Sequence, residues 1–294
     1  MSAASWVSEA PLRVRERVNR NIRHAIGLTQ APPEACNDPS EAYTPVDGIA
    51  RIIHGDLSSM LIGGIASLFL QMLHPPTMAG VAQHSRYQHD PLGRVLQTAN
   101  FIGATTYGSR ATACGAIERV LSVHEAVRGV DDDQRPYYAN DPHLLEWVHV
   151  AGTSMFLTGY QEYGALPLSA AYADQYVLEM TTVARDLGAA NPPTNVAELN
   201  ASLERFRPEL RLSADGVIAR DFVRDGVVRG LIQPAAYRLL VHSALDLLTP
   251  WARELLGVSP HPLVHRVAIR PATTVLCAGL RAAVPPYQPA TLQS

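Results

Sequence analysis

The chain has 294 residues, 47% of them hydrophobic, with 24 basic and 27 acidic side chains and a formal net charge of −3. All 24 basic residues are arginine, which excludes Schiff-base chemistry, a lysine general base and the G-x-x-x-x-G-K-[ST] phosphate loop. The near-neutral balance argues against a nucleic-acid partner, and a charged share of only 17% leaves room for a large apolar cavity or a homo-oligomer interface.

Residues 1–45 read as an N-terminal extension. An arginine-rich amphipathic stretch, Leu12 to Ile26, leads into the turn-forming Ala31-Pro32-Pro33 and Asp38-Pro39-Ser40. The extension has no apolar core of the kind a secretion signal carries, so the expected location is cytoplasmic. Cys36, Cys114 and Cys277 form no C-x-x-C pair, which removes a zinc ribbon and a covalent C-x-x-C-H haem attachment.

From residue 46 to 284 the pattern is that of one helical domain. A first helix is expected from Asp47 or Asp56 to Leu73, stopped by His74-Pro75-Pro76. Its apolar run, Met60 to Leu73, is too short for a membrane span. The second opens on Asp90-Pro91, an N-cap followed by proline, with Leu92, Val95, Leu96, Ala99 and Ile102 as its stripe. The third covers Ala111 to Arg128 and closes on Gly129. A fourth repeats the Asp-Pro signal at Asp141-Pro142 and runs to about Tyr163, and a fifth runs from Ser169 to Leu187-Gly188. Beyond Asn191-Pro192-Pro193 the segments shorten at Pro208, Pro234, Pro250 and Pro260, and 285–294 reads as an irregular tail. With no regularly spaced alternating strands, the fold class is all-α, a single helical domain enclosing an apolar cofactor pocket.

The histidines carry most of the remaining chemistry. Ala113, Ile117, Val120, Leu121, His124 and Val127 share one helical stripe, so His124 is expected to point inward, as a core residue or as a ligand. A zincin helix is ruled out because Arg128 stands where the second zinc histidine belongs. Glu146 and His149 form one Glu-x-x-His, half of the pair of motifs that a helical di-iron site requires. Arg94 and Thr98 lie one turn apart with Gln97 beside them, and His84-Ser85-Arg86-Tyr87 reads as a polar loop.

Several stretches taken together resemble the catalytic domain shared by rubber oxygenases (latex-clearing proteins) and the MpaB oxygenases. They are Leu68 to Pro76, Gly80-Val81, His84-Ser85, Asp90 to Arg94 with Thr98, and Tyr107-Gly108. Further along, Val123-His124, Val127 to Gly129, Tyr138-Ala139, Asp141-Pro142 and Trp147 to His149 continue the likeness. The resemblance implies a helical fold around non-covalent haem b, with His124 as the iron ligand and Arg94 and Thr98 near the haem. On this reading Arg94, Gln97 and Thr98 are the catalytic candidates, and His124, Arg94 and His149 bind the cofactor. The expected activity is haem-dependent oxygenation of a small apolar substrate with dioxygen or peroxide. The alternatives are a non-catalytic haem or lipid carrier and a di-iron oxidase. Two positions depart from the rubber-cleaving branch: Gln97 replaces a lysine, and Thr77-Met78-Ala79 lacks its glutamate. Polymer cleavage is therefore not carried over.

Overall fold

A computed structural model describes residues 35–225, 234–259 and 262–287. Leu12–Ile26, Pro260 and the last seven residues lie outside them. The elements are almost all helical, as the sequence implies.

Two antiparallel helices form the centre. Helix α2 (Leu57–Gln71) follows the short α1 (Ile49–His54), and α6 (Pro142–Tyr163) lies against it. Asp56 caps α2 by accepting from the Ser58 and Ser59 amides, which is why the single expected helix is divided at Gly55-Asp56. Asp141 caps α6 at the His143 amide, with Pro142 in the first helical position, as read from sequence. The two helices approach closely because glycines stand at the crossing. A Cβ on Gly63 would lie 2.7 Å from the Met155 carbonyl oxygen, and one on Gly159 would lie 3.1 Å from the Gly63 Cα. Phe69, Leu70, Trp147, Val150 and Met155 complete this core.

After α2 the chain turns by 106° at Met72-Leu73-His74, and Pro75 starts a new helix, α3 (Pro75–His84). Proline there ends one helix and begins the next, so a helix stands where the sequence indicates only a stop. Helices α4 (Pro91–Tyr107) and α5 (Arg110–Glu125) form a hairpin that packs on α1 and α7 (Ala170–Leu187). A small second core of Tyr43, Ala113, Ile117 and Val183 joins them.

Helix α5 ends three residues before its expected limit. Gly129 lies in a two-stranded antiparallel ribbon, β1 (Arg128–Val130) with β2 (Pro136–Tyr138), in which it pairs with Tyr137. It is glycine because a Cβ would sit 2.6 Å from Gln83 Oε1 and 2.7 Å from the Tyr137 hydroxyl.

The far side of the central pair is covered by α8 (Val196–Phe206), α9 (Ala214–Asp225), α10 (Pro234–Leu247), α11 (Pro250–Leu255) and α13 (Arg270–Ala283); the single turn α12 (Pro262–Val264) leads into α13. Pro250 opens a helix here instead of breaking it, and Pro234 is the first described residue of α10. Among the described residues no single helix is long and apolar enough to cross a membrane.

Candidate functional site

Helix α4 is tied down at its C-terminal end and approaches His124 at its N-terminal end. At the C-terminal end Thr106 Oγ1 meets His54 Nδ1 at 2.7 Å, and the His54 ring stands edge-on to Phe156 of α6, centroids 5.6 Å apart. At the N-terminal end the Arg94 guanidinium comes near enough to His124 to oppose a charge on its ring. His124 is held by Asn140, immediately before the Asp141 cap of α6.

Several apolar side chains of α2, α4 and α6 remain accessible. Leu68 of α2 is 43% exposed, Val148 of α6 37% and Val95 of α4 41%. Gly64 and Gly152 keep the floor low: a Cβ on either would meet the Phe156 ring, at 3.7 and 4.0 Å. These exposed apolar side chains of α2, α4 and α6 mark out the candidate cleft.

His124 ends the last turn of α5 and is half-exposed, which corrects the expectation that it points into the core. Only Ala113, Ala116 and Ile117 of that helix are buried. The stripe runs beyond the packing against α7, so its last turn is left partly uncovered. Nδ1 of His124 lies 3.1 Å from Asn140 Oδ1. The Asn140 amide nitrogen donates to the Leu121 carbonyl at 3.1 Å, which fixes Oδ1 toward the ring. Nδ1 therefore carries the proton and donates, leaving the Nε2 lone pair bare. Burial chiefly, with a smaller push from Arg94, lowers the His124 pKa against the raising effect of Asn140. The ring is neutral at pH 7, the form that binds a metal.

Arg94 is solvent-accessible yet enclosed by enough protein to pull its guanidinium below the ordinary range by desolvation. It remains charged, and among the described residues its guanidinium has no hydrogen bond or ion pair. Gln97 and Thr98 share its face of α4 and are exposed, with the Thr98 hydroxyl donating back to the Arg94 carbonyl at 3.2 Å. A cation that no other described residue pairs, near a bare imidazole nitrogen, is an arrangement suited to an anionic group.

His149 lies on the face of α6 that carries Val148 and Gly152. Its Nε2 is buried without a partner, Nδ1 is 3.5 Å from Thr153 Oγ1, and burial pushes its pKa down to about 4. The di-iron expectation does not survive the geometry. Glu146 is buried and commits its carboxylate to Arg205 and to the Asn191 amide at 3.2 Å. Among the described residues Glu146 and His149 belong to no group of three or more metal-ligating side chains.

A family model described as the catalytic domain of the ER-bound oxygenase mpaB/B' and rubber oxygenase matches residues 51–282. The chain belongs to this family. No curated protein and no solved structure gives a match. The mpaB/rubber oxygenase domain thus takes in the central helices, the α4–α5 hairpin and the cleft between them. The loop His84-Ser85-Arg86-Tyr87 stands at its edge, with His84 Nε2 3.2 Å from the Arg128 carbonyl oxygen of the ribbon. One histidine cluster had no sequence signal at all: His74 and His143 both direct Nε2 at Glu209.

Proposed function

We propose that this domain is a haem-b oxygenase acting on a small apolar substrate, with the cleft as the site of reaction. The observation that supports this most is the pairing of a tautomer-fixed His124, bare at Nε2, with the unpartnered Arg94. A b-type haem requires an apolar slot, one imidazole for the iron and cationic partners for its propionates, and the residues present fit it. When bound, such a group supplies the activation of dioxygen or peroxide that an oxygenase needs.

The protein's own part is to hold and to exclude. His124 presents Nε2, and Asn140 keeps the ring from turning by accepting at Nδ1. Arg94 anchors a carboxylate or donates to a polar oxygen, and it cannot take up a proton because it already carries its full complement. Gln97 and Thr98 offer neutral hydrogen bonds, so neither acts as a base at pH 7. Leu68, Val95, Val148 and the glycine floor favour an apolar substrate over a charged one.

The test is the absorption spectrum of the full chain expressed with a haem precursor. A Soret band that His124→Ala removes, together with dioxygen uptake on addition of apolar substrates, is the expected result. Colourless protein that also refuses added haemin overturns the reading, and haem-loaded protein inert toward every substrate reduces it to a carrier.

A further inference from the structure

Outside the cleft, three residues far apart in sequence meet at the bend between α2 and α3. His74 comes from the bend itself, His143 from the first turn of α6, and Glu209 from the 3₁₀ turn Arg207–Glu209 that follows α8. Nε2 of His143 lies 2.8 Å from Glu209 Oε2, and Nε2 of His74 lies 3.5 Å from the same oxygen. The three donor atoms fall within 4.8 Å of one another. We infer that His74, His143 and Glu209 form a binding site for one divalent transition-metal ion, of the kind that takes nitrogen and carboxylate ligands, separate from the cleft.

The imidazoles are set in place before any ion arrives. His74 is 2% exposed and its Nδ1 meets Thr77 Oγ1 at 2.8 Å, an outer partner that fixes the ring and directs Nε2 toward Glu209. Trp147 stands behind His74 with centroids 5.9 Å apart, and Phe206 lies along His143 at 4.6 Å. These aromatic walls allow little rotation. The nearby Arg135 is already engaged by Asp131 and Asp133.

His143 and Glu209 are partly exposed, so the side away from His74 faces water. Two histidines, one carboxylate and an open side match the ligand count of sites that leave a coordination position for water or substrate. An ion there would tie the turn after α8 to the bend, beside the bond from the Arg211 amide to the Leu73 carbonyl at 2.8 Å.

The experiment is zinc titration of the chelator-stripped full chain by calorimetry and by thermal unfolding, with His143→Ala, Glu209→Gln and Thr77→Val alongside. His143 and Glu209 are changed in preference to His74 because their partial exposure lets the fold tolerate substitution. The expected result is one zinc per chain, a melting temperature that rises with zinc concentration, and loss of that binding in His143→Ala and Glu209→Gln. Thr77→Val should weaken binding by about 10–100-fold, the usual effect of removing an outer-shell partner. No stoichiometric zinc, or zinc bound equally well by His143→Ala and Glu209→Gln, overturns the site. Chelation that leaves any Soret band unchanged separates this ion from iron in the cleft.

Discussion

Two adjacent glycines of α2 make opposite predictions. A Cβ on Gly63 would lie 2.7 Å from the Met155 carbonyl oxygen, 3.1 Å from the Phe156 Cα and 3.3 Å from the Met155 carbonyl carbon. All three are backbone atoms, so no side chain can rotate away and α2 and α6 must separate. Overpacking of this kind costs about 1–3 kcal/mol. A Cβ on Gly64 would meet only the Phe156 ring, at an ordinary 3.7 Å. Both substitutions by alanine gain the same helix propensity, roughly 1 kcal/mol. That gain cancels in the comparison, and the difference between Gly63→Ala and Gly64→Ala isolates the packing cost. At roughly 2–4 °C per kcal/mol for a chain of this size, Gly63→Ala should melt about 2–12 °C below Gly64→Ala. Differential scanning calorimetry of the two variants decides the matter, and equal melting temperatures would refute close approach at Gly63. Gly64→Ala carries a second readout. Its methyl group stands on the cleft floor, so it should weaken occupancy of the cleft while leaving stability equal or higher.

Three further outcomes follow from the same geometry. Asp56 is fully buried and accepts from Ser58, Ser59 and Arg281, whose Nε lies at 2.8 Å. Removing one partner of a buried pair costs about 3–5 kcal/mol, and the surviving amide donors put Arg281→Met near the low end, roughly a 6–12 °C fall in melting temperature; a change under 1 °C would count against the pair. His149 has its pKa pushed to about 4 by burial, below its ordinary value, so the unfolded chain binds the extra proton and stability is lost as pH falls from about 6.5 to 4. His149→Leu should flatten that acid limb by one proton in the slope of stability against pH, and an unchanged slope would sink the assignment. Asn140→Leu frees the His124 ring and should lower haemin affinity by about 10–100-fold in a Soret titration, whereas unaltered affinity would mean that Asn140 does not set the tautomer.

What the sequence showed was local chemistry. Asp90-Pro91 and Asp141-Pro142 mark helix starts to the residue, because a cap and a proline act within one turn. Ser169 and Gly188 bound α7 for the same reason, with Gly188 in the left-handed region at φ 92°. The His74-Pro75 bend was half legible: proline announces a break, but whether a helix resumes depends on what α3 packs against, here the ribbon. The Glu146–His149 pair misled because the partner that claims Glu146, Arg205, lies 59 positions away. His74, His143 and Glu209 carry no motif, since their meeting depends on the turn at His74 and on α8 reaching the start of α6. The cleft was obscured by the assumption that an apolar stripe faces the core. Leu68 and Val148 are apolar and accessible, so an apolar position on a helix does not by itself mean burial.

The absence of lysine acquires a definite meaning at this cleft. On α4 the face toward His124 holds Arg94, Gln97 and Thr98. Arginine keeps its proton at any pH that the fold tolerates, and an amide and a hydroxyl do not accept one near neutrality. That face therefore donates hydrogen bonds but cannot remove a proton from a substrate. Proton abstraction, where the reaction needs it, falls to an imidazole or to the cofactor. His124 has Nδ1 committed to Asn140, and on the proposed function its Nε2 is reserved for the iron. His149 is different: it is neutral, it lies on the same face of α6 as Val148, and its buried Nε2 has no partner among the described residues. The resemblance places a lysine at the position of Gln97, and a lysine there would have supplied a base on the opposite wall. Without it, the face of α4 that holds Arg94 offers no base. The chemistry of this chain should accordingly differ from that of the lysine-bearing branch in its pH dependence, before any difference in substrate is considered.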